Sequence, residues 1–291
     1  MVVKVVIGAN FGDEGKGLMT DYFCHQSALR GEKCIVVLHN GGAQRGHTVV
    51  TPDRKRHVFH HFGSGTFTGA DTYLSEEFIL NPMVFRQEWE ELEALGITPK
   101  VYANPFCRVT TPYEMIANQM IEESRHGDRH GSCGLGIYET IKRYEESEIT
   151  SFLNDIEFSS RYRSSILHDM MNDLKEYFFR RLERENVEFT EEWEDIFDSD
   201  NLIENYITDL KFMLDKISIQ HPYCLSAYDC VVFEGGQGLL LDQNNNEYYP
   251  HLTPSNTGIR NPLEIISKID CKLNIEVCYV TRTYLTRHGA G

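Results

Sequence analysis

The chain has 291 residues, 41% of them hydrophobic and 25% charged, with a formal net charge of −16. This balance suits a globular protein with a sizeable core, and the acidic excess argues against nucleic-acid binding, because a phosphate backbone needs a basic face. A small anionic substrate is still allowed, since a local basic pocket can sit in an acidic protein. No apolar run approaches membrane-spanning length, so no membrane partner is expected. Eight cysteines, at positions 24, 34, 107, 133, 224, 230, 271 and 278, form no CxxC pair. With no signal peptide in the sequence, they read as reduced, buried thiols of a cytoplasmic enzyme.

In chain order, residues 2–7 form a β-branched run that reads as a buried strand. It leads into Gly12-Asp13-Glu14-Gly15-Lys16-Gly17. Glycines there let backbone N–H groups turn inward around an anion. A carboxylate beside phosphates is costly unless it holds a metal or takes a proton, so the Asp13–Glu14 pair suggests phosphoryl chemistry with its own base. The loop is not a Walker A motif, because Gly17 follows Lys16 where that motif needs Ser or Thr. A second strand, 34–38, runs into His39-Asn40-Gly41-Gly42-Ala43-Gln44-Arg45-Gly46-His47-Thr48. His47 is the residue type best suited to exchange a proton near neutral pH. Gln44, Arg45 and Thr48 are phosphate- or base-binding types.

Helical patterns follow at 81–95, with Asn81 as cap and Pro82 in the first turn, at 113–124, at 165–185 and at 202–217. Residues 183–200 carry nine acidic side chains against one basic. That run reads as a solvated helix–loop surface. A strand at 230–233 precedes Glu234-Gly235-Gly236-Gln237-Gly238, where the Gln237 amide offers a purine edge both a donor and an acceptor. Residues 239–242 (Leu-Leu-Leu-Asp) and Thr253-Pro254-Ser255-Asn256-Thr257-Gly258 come next, then a strand at 275–280 and the terminal Thr281-Arg282-Thr283-Tyr284-Leu285-Thr286-Arg287-His288-Gly289-Ala290-Gly291. Strands running into polar or glycine-rich loops predict an α/β fold. Its large, mostly parallel central sheet is flanked by helices, with nucleotide loops at the carboxyl ends of the strands.

Together these loops resemble the adenylosuccinate synthetase family, whose pattern includes GDEGKG, GGxNAGHT, EGAQG with LLD, TSSNT and TRVGAG. Order and spacing match over residues 1–291, implying one synthetase-like domain and a homodimer that shares active-site residues. The resemblance implies a ligase that joins L-aspartate to C6 of IMP through a 6-phosphoryl intermediate, driven by GTP. Asp13 would take the purine N1 proton, His47 would donate to the transferring phosphoryl group, Lys16 would offset charge and Gln237 would align the purine. Gly12, Glu14, Gly15, Gly17, Gly46 and Thr48 would line the triphosphate. Mg2+ would be held by the Asp13 carboxylate and the Gly46 carbonyl. Gln44, Ser132, Arg143 and Thr253 would contact the purine nucleoside monophosphate, with Arg143 as an arginine lent by the partner subunit. Cys133, where the family pattern has arginine, reads as a small buried thiol.

Three departures matter. Gln44 replaces the asparagine and Arg45 the alanine of the family's NAGHT, which could change the purine that fits. The sequence ends at Gly291, whereas typical members continue into an arginine-rich loop for aspartate and a guanine-reading lysine–aspartate motif. The resemblance therefore leaves two alternatives open: a phage-type relative using dGMP and ATP to make 2-aminoadenine nucleotides, and a catalytically incomplete nucleotide-binding module. Asp13 favours IMP, because the phage form often has serine there.

Overall fold

A computed structural model describes residues 1–149, 152–269 and 272–287. In chain order its elements are β1 (Val2–Gly8), α1 (Lys16–Leu29), β2 (Cys34–Leu38), β3 (His47–Val50), β4 (Arg56–Phe59) and β5 (Asp71–Leu74). There follow α2 (Pro82–Ala94), β6 (Val101–Ala103), α3 (Pro112–Ser124), α4 (Ile137–Glu146), α5 (Leu153–Tyr162) and α6 (Ser164–Arg184). The last are α7 (Glu191–Phe197), α8 (Asp200–Lys216), β7 (Ile217–Ile219), β8 (Cys230–Gly238), α9 (Arg260–Ile266) and β9 (Asn274–Val280). Among the described residues, seven strands form a wholly parallel sheet in the order β7-β6-β5-β2-β8-β1-β9. β3 and β4 make a separate antiparallel pair.

Side chains that alternate along each strand divide the core in two. Val36 and Leu38 of β2 face one layer with Cys24 of α1, Phe85 of α2, Tyr113 of α3 and Leu210 of α8. Ile35 and Val37 face the other with Val3 and Val5 of β1, Phe233 of β8 and Ile265 of α9. Burial on both faces explains why these strands read as continuous apolar runs. Because the strands are parallel, their carboxyl ends share one edge. After β1 the chain moves toward β2, and after β8 it moves to β9 on the far side of β1. After β2 the chain passes to β5 on one side and after β8 to β9 on the other, so connections diverge between the neighbouring strands β2 and β8, which is where ligands bind in open α/β sheets.

The expected helix at 81–95 is α2, whose cap Asn81 accepts from the Val84 N–H at 3.1 Å. Helices expected at 113–124, 165–185 and 202–217 are α3, α6 and α8 within two residues at each end. α7 lies in the acidic stretch with its charged side chains out and Phe197 buried. Four cysteines, 24, 34, 107 and 230, are buried, but 224 and 278 are partly exposed. Cys133 is exposed, which corrects its reading as a buried thiol; it sits in the irregular stretch before α4, where no packed layer covers it. Cys271 and residues 288–291, the end of the TRVGAG-like stretch, lie outside the described residues. No helix among the described residues is long and apolar enough to cross a membrane.

The β3–β4 pair is fastened to α2 by one buried carboxylate. Glu88 accepts the backbone N–H groups of His60 at 2.8 Å and His61 at 2.6 Å, and lies 3.4 Å from His57 Nε2. Burial pushes its carboxyl up, but hydrogen bonds from His57 and His61 outweigh that and hold it at about 2, against an ordinary 4.5. A depressed carboxylate stabilises the fold above its ordinary value and loses that contribution as pH falls toward its folded value. Glu88→Gln turns an amide donor toward a backbone donor and should cost roughly 3 kcal/mol at neutral pH. Thermal melts of both proteins should converge as pH drops below about 4.5; a gap that stays constant would refute this role.

Candidate active site

The loop between β1 and α1 folds around its own acid. The Glu14 carboxylate accepts the backbone N–H groups of Asn10 at 3.1 Å and Gly12 at 2.8 Å, and lies 3.7 Å from Lys16 Nζ. Lys16 donates to the Gly12 carbonyl at 2.6 Å. Amides expected to wrap an external anion are thus partly spent on Glu14, which locks the loop's shape. Gly15 starts α1 with φ +96°, a left-handed conformation that a side chain would strain. Burial pushes the Lys16 ammonium down to about 8, with Glu14 opposing and Arg45 adding to the fall. Asp13 is half-buried on the same loop.

Facing this loop are the ends of β2 and β8 and the start of β3. Glu234 and His47 meet, with His47 Nδ1 2.5 Å from Glu234 Oε1. Arg45 Nη2 lies 3.0 Å from Glu234 Oε2 and 2.8 Å from His47 Nδ1. Ser64 completes the carboxylate's shell, its N–H donating to Oε2 at 3.1 Å and its hydroxyl to Oε1. Burial raises the Glu234 carboxyl, but Arg45 and His47 overcome it and hold it well below the usual range. Burial and then Arg45 push the His47 imidazole down to about 4, against the pull of Glu234, so it is neutral at neutral pH. Its Nε2 is buried and has no hydrogen-bond partner.

The junction of the loops admits no bulk. A Cβ on Gly17 would lie 2.8 Å from His47 Cβ, so the first turn of α1 packs directly on the histidine. Gly41 adjoins Gln44 and Gln237: its Cβ position is 3.1 Å from Gln44 Nε2 and 3.3 Å from Gln237 Oε1. Both side-chain oxygens, Gln44 Oε1 and Gln237 Oε1, are buried without partners. Asn40 links the second loop to the third, accepting from the Gly236 N–H at 2.7 Å and donating to the Asn256 carbonyl at 3.1 Å. The Leu240 N–H donates to the Asn10 carbonyl at 2.9 Å, tying the third loop to the first.

The structure therefore gathers Asp13, Glu14, Lys16, Gln44, His47 and Gln237 at one sheet edge. Thr48 also lies there, but the alternation of β3 turns it outward, opposite to His47, and Gly46 is exposed. Thr253 is buried behind the third loop, its N–H donating to the Leu241 carbonyl at 2.9 Å. Ser132 is exposed and donates to Asn118 Oδ1 at 2.6 Å; two residues earlier, the His130 carbonyl meets His251 Nδ1 at 3.2 Å. Arg143 is drawn into the fold rather than to the sheet edge. It is 2% exposed, and its Nε donates to Glu114 at 2.5 Å, Nη1 to the Ile149 carbonyl at 2.8 Å and Nη2 to the Val109 carbonyl at 2.9 Å. All three bonds lie within this chain. Glu234 and Ser64 were given no role from sequence. For Glu234 a signal existed, a carboxylate ending an apolar strand; for Ser64 there was none.

A family model for adenylosuccinate synthetase matches residues 5–291. The adenylosuccinate synthetase of Pelodictyon phaeoclathratiforme is 28% identical over 300 residues, covering 99% of this chain and 63% of the relative. That of Mesoplasma florum is 28% identical over 292 residues, with 99% and 63% covered. The chain thus spans about 63% of the length of these relatives. Fully ligated adenylosuccinate synthetase from Plasmodium falciparum has the same fold, with a TM-score of 0.72 at 22% identity, over 99% of this chain and 63% of that one. Cyanophage S-2L succinoaminodeoxyadenylate synthetase, solved with dGMP and with dATP as an energy donor, gives 0.57 at 13% identity over 94% and 63%.

Proposed function

The chain belongs to the adenylosuccinate synthetase family, and from that membership we propose that it joins L-aspartate to C6 of IMP at the expense of GTP, acting in the cytoplasm as a homodimer. The observation that best supports this reading is the buried, neutral His47, backed by Glu234 through Nδ1 and with Nε2 unpartnered beside the Asp13–Lys16 loop. Oxygen at C6 of a purine is a poor leaving group and must be activated first. Asp13 takes the N1 proton, and O6 then attacks the γ-phosphorus while the bond to the leaving diphosphate breaks. His47, which takes up a proton when the anionic triphosphate seats beside it, donates from Nε2 to the transferring phosphoryl group. The aspartate amino group next adds at C6, and inorganic phosphate departs with the C6–O6 electron pair. Gln237 and Gln44 address the purine edge, Ser132 and Thr253 the monophosphate side, and Gly12, Gly15, Gly17 and Thr48 the triphosphate.

Magnesium fits this donor set. One carboxylate, Asp13, and one backbone carbonyl, Gly46, are the sparse ligands an octahedral Mg2+ accepts when phosphates supply the rest. Among the described residues no group of three His, Cys, Asp or Glu side chains could hold a metal without them. When bound, the ion would neutralise charge on the triphosphate.

Two expected results test the assignments. His47→Ala should lower kcat by about 10²–10³-fold with KM changed little, because its contact is made mainly in the transition state; a change confined to KM would make His47 a simple binding residue. Lys16 is charged below about 8 and neutral above it. Triphosphate affinity measured by calorimetry should therefore fall as pH rises through that value. Lys16→Arg, which keeps its charge, should flatten the profile; equal affinity on both sides in the parent protein would refute the assignment.

A second reading, dGMP with ATP as donor, is favoured by one feature. Gln44 carries a longer amide than the asparagine of the family pattern, beside Gln237, and so reshapes the purine edge of the pocket.

A further inference from the structure

The segment after β9 straps the first loop. The Ala9 N–H donates to the Val280 carbonyl at 2.9 Å, and the Asn10 side-chain amide donates to Thr281 Oγ1 at 3.0 Å. Further on, the chain returns to the same place. Arg287 Cζ lies 5.2 Å from the Phe11 ring centroid and 5.6 Å from that of Tyr248. The two rings meet edge to face, their centroids 5.1 Å apart and their planes at 80°. Arg287 Nη2 also donates to the His251 carbonyl at 3.1 Å. We propose that Arg287 is a positioning residue that acts through Phe11 and Tyr248 to hold the first loop, and with it Asp13, against the third loop. The proposal rests on the reading of Asp13 as the group that takes the purine N1 proton.

Asp13 and the purine-aligning Gln237 belong to different loops, and their separation must be fixed for the reacting atoms to meet. Phe11 lies two residues before Asp13, and Tyr248 and His251 lie between Gln237 and Thr253. A backbone hydrogen bond from Leu240 to Asn10 already joins the two loops; the Arg287 clasp adds a second tie, made by side chains. A guanidinium within about 6 Å of a ring centroid is attracted by the ring's quadrupole, and here one cation engages two rings. Arginine suits the place, because its planar fork can lie against a ring while an N–H reaches a carbonyl. Phe11, Tyr248 and Arg287 are all half-buried, so water only partly weakens the contact. His251 carries the tie further, since its Nδ1 meets the His130 carbonyl at 3.2 Å. The clasp thus reaches the first loop, the third loop and, through His251, the segment that carries Ser132. Arg282 offers a comparison within the same segment: it is exposed, and its guanidinium lies over its neighbour Tyr284 at 5.8 Å.

The test uses Arg287→Met, which keeps the stem and removes the guanidinium, Arg287→Lys, which restores the charge, and Arg282→Met as control. Amide hydrogen exchange read by mass spectrometry, without substrate, should be faster in Arg287→Met over residues 9–17 and unchanged over β2. Arg287→Lys should regain part of the protection, and Arg282→Met should match the parent. In an assay of phosphate release Arg287→Met should lower kcat about 10-fold with KM nearly unchanged, because the binding groups are retained and only their placement loosens. Lysine should again restore part of the loss. Exchange over residues 9–17 identical in the parent and Arg287→Met would overturn the proposal. So would faster exchange with kcat unchanged, a change confined to KM, or an equal loss in Arg282→Met. If the parent releases no phosphate with any substrate pair, the functional reading fails, and exchange alone decides whether Arg287 holds the first loop. Should Arg287→Met not fold, Tyr248→Leu replaces it, since it removes one ring of the clasp. The same local rise in exchange and the same drop in kcat would then support the proposal, and parent values for either would overturn it.

Discussion

Asp13→Ala should reduce phosphate release by about 10²–10⁴-fold, the range that a positioned general base contributes, while the melting temperature barely moves. The two halves of this expectation come from different parts of the loop. Its shape is held by Glu14 and Lys16, through the Asn10 and Gly12 N–H groups and the Gly12 carbonyl. Asp13 stands between these anchors and is half-buried, so removing its carboxylate leaves the Glu14 and Lys16 bonds in place. Removing Glu14 should do the reverse, freeing two backbone donors and the Lys16 charge together. Asp13→Asn is the sharper companion, because it keeps shape and polarity and loses only basicity. Triphosphate binding retained in Asp13→Asn, with turnover lost, would support Asp13 as the base; full turnover in either variant would remove it from the mechanism.

The second large effect concerns Gly238. A Cβ there would lie 2.1 Å from the Asn10 carbonyl oxygen and 2.5 Å from the Gly12 nitrogen. Both neighbours are backbone, so no rotamer change relieves the clash. Gly238 is also the last residue of β8 and pairs with Gly8 across a register shift. Gly238→Ala must therefore push the first loop and the β8 loop apart where they are joined by the Leu240–Asn10 hydrogen bond. Overpacking of this kind costs roughly 1–3 kcal/mol or more, and triphosphate affinity should fall at least tenfold. Gly127→Ala is a suitable control, since a Cβ there meets nothing within 4 Å. Unchanged affinity in Gly238→Ala would mean that the two loops are not one site.

The parallel sheet was legible in sequence because β1, β2 and β8 are buried on both faces and so carry unbroken β-branched runs. β9 was found by the same signal despite its exposed edge position. β5, β6 and β7 are three or four residues long, too short for a periodic signal. α1 escaped notice for a different reason. It buries Gly17, Thr20, Cys24 and Ser27 while exposing Leu18 and Leu29, the opposite of an amphipathic pattern. Small residues are needed on that face because the helix packs against His47 and the β8 layer.

In the candidate site, the glycine-bounded motifs identified the residues that meet at the sheet edge. They did not reveal the division of labour within them. Asp13 and Glu14 read as one acidic pair, yet Glu14 is a buried anion held by two backbone N–H groups and Asp13 is only half-buried. Arg45 read as a new cation for substrate, yet it is buried against Glu234. Arg143 has the right charge at nearly the right spacing, but its helix α4 turns it inward onto Glu114. Spacing along a chain says which loop a residue joins; which way the side chain turns depends on partners distant in sequence.

Phosphate release by this chain, with magnesium and L-aspartate, crossing IMP, GMP and dGMP against GTP and ATP, tests the proposed reaction most directly. Release that requires both L-aspartate and IMP, with GTP as donor, is the expected result. Release that ignores aspartate, or none from any pair while nucleotide still binds by calorimetry, would contradict the ligase assignment.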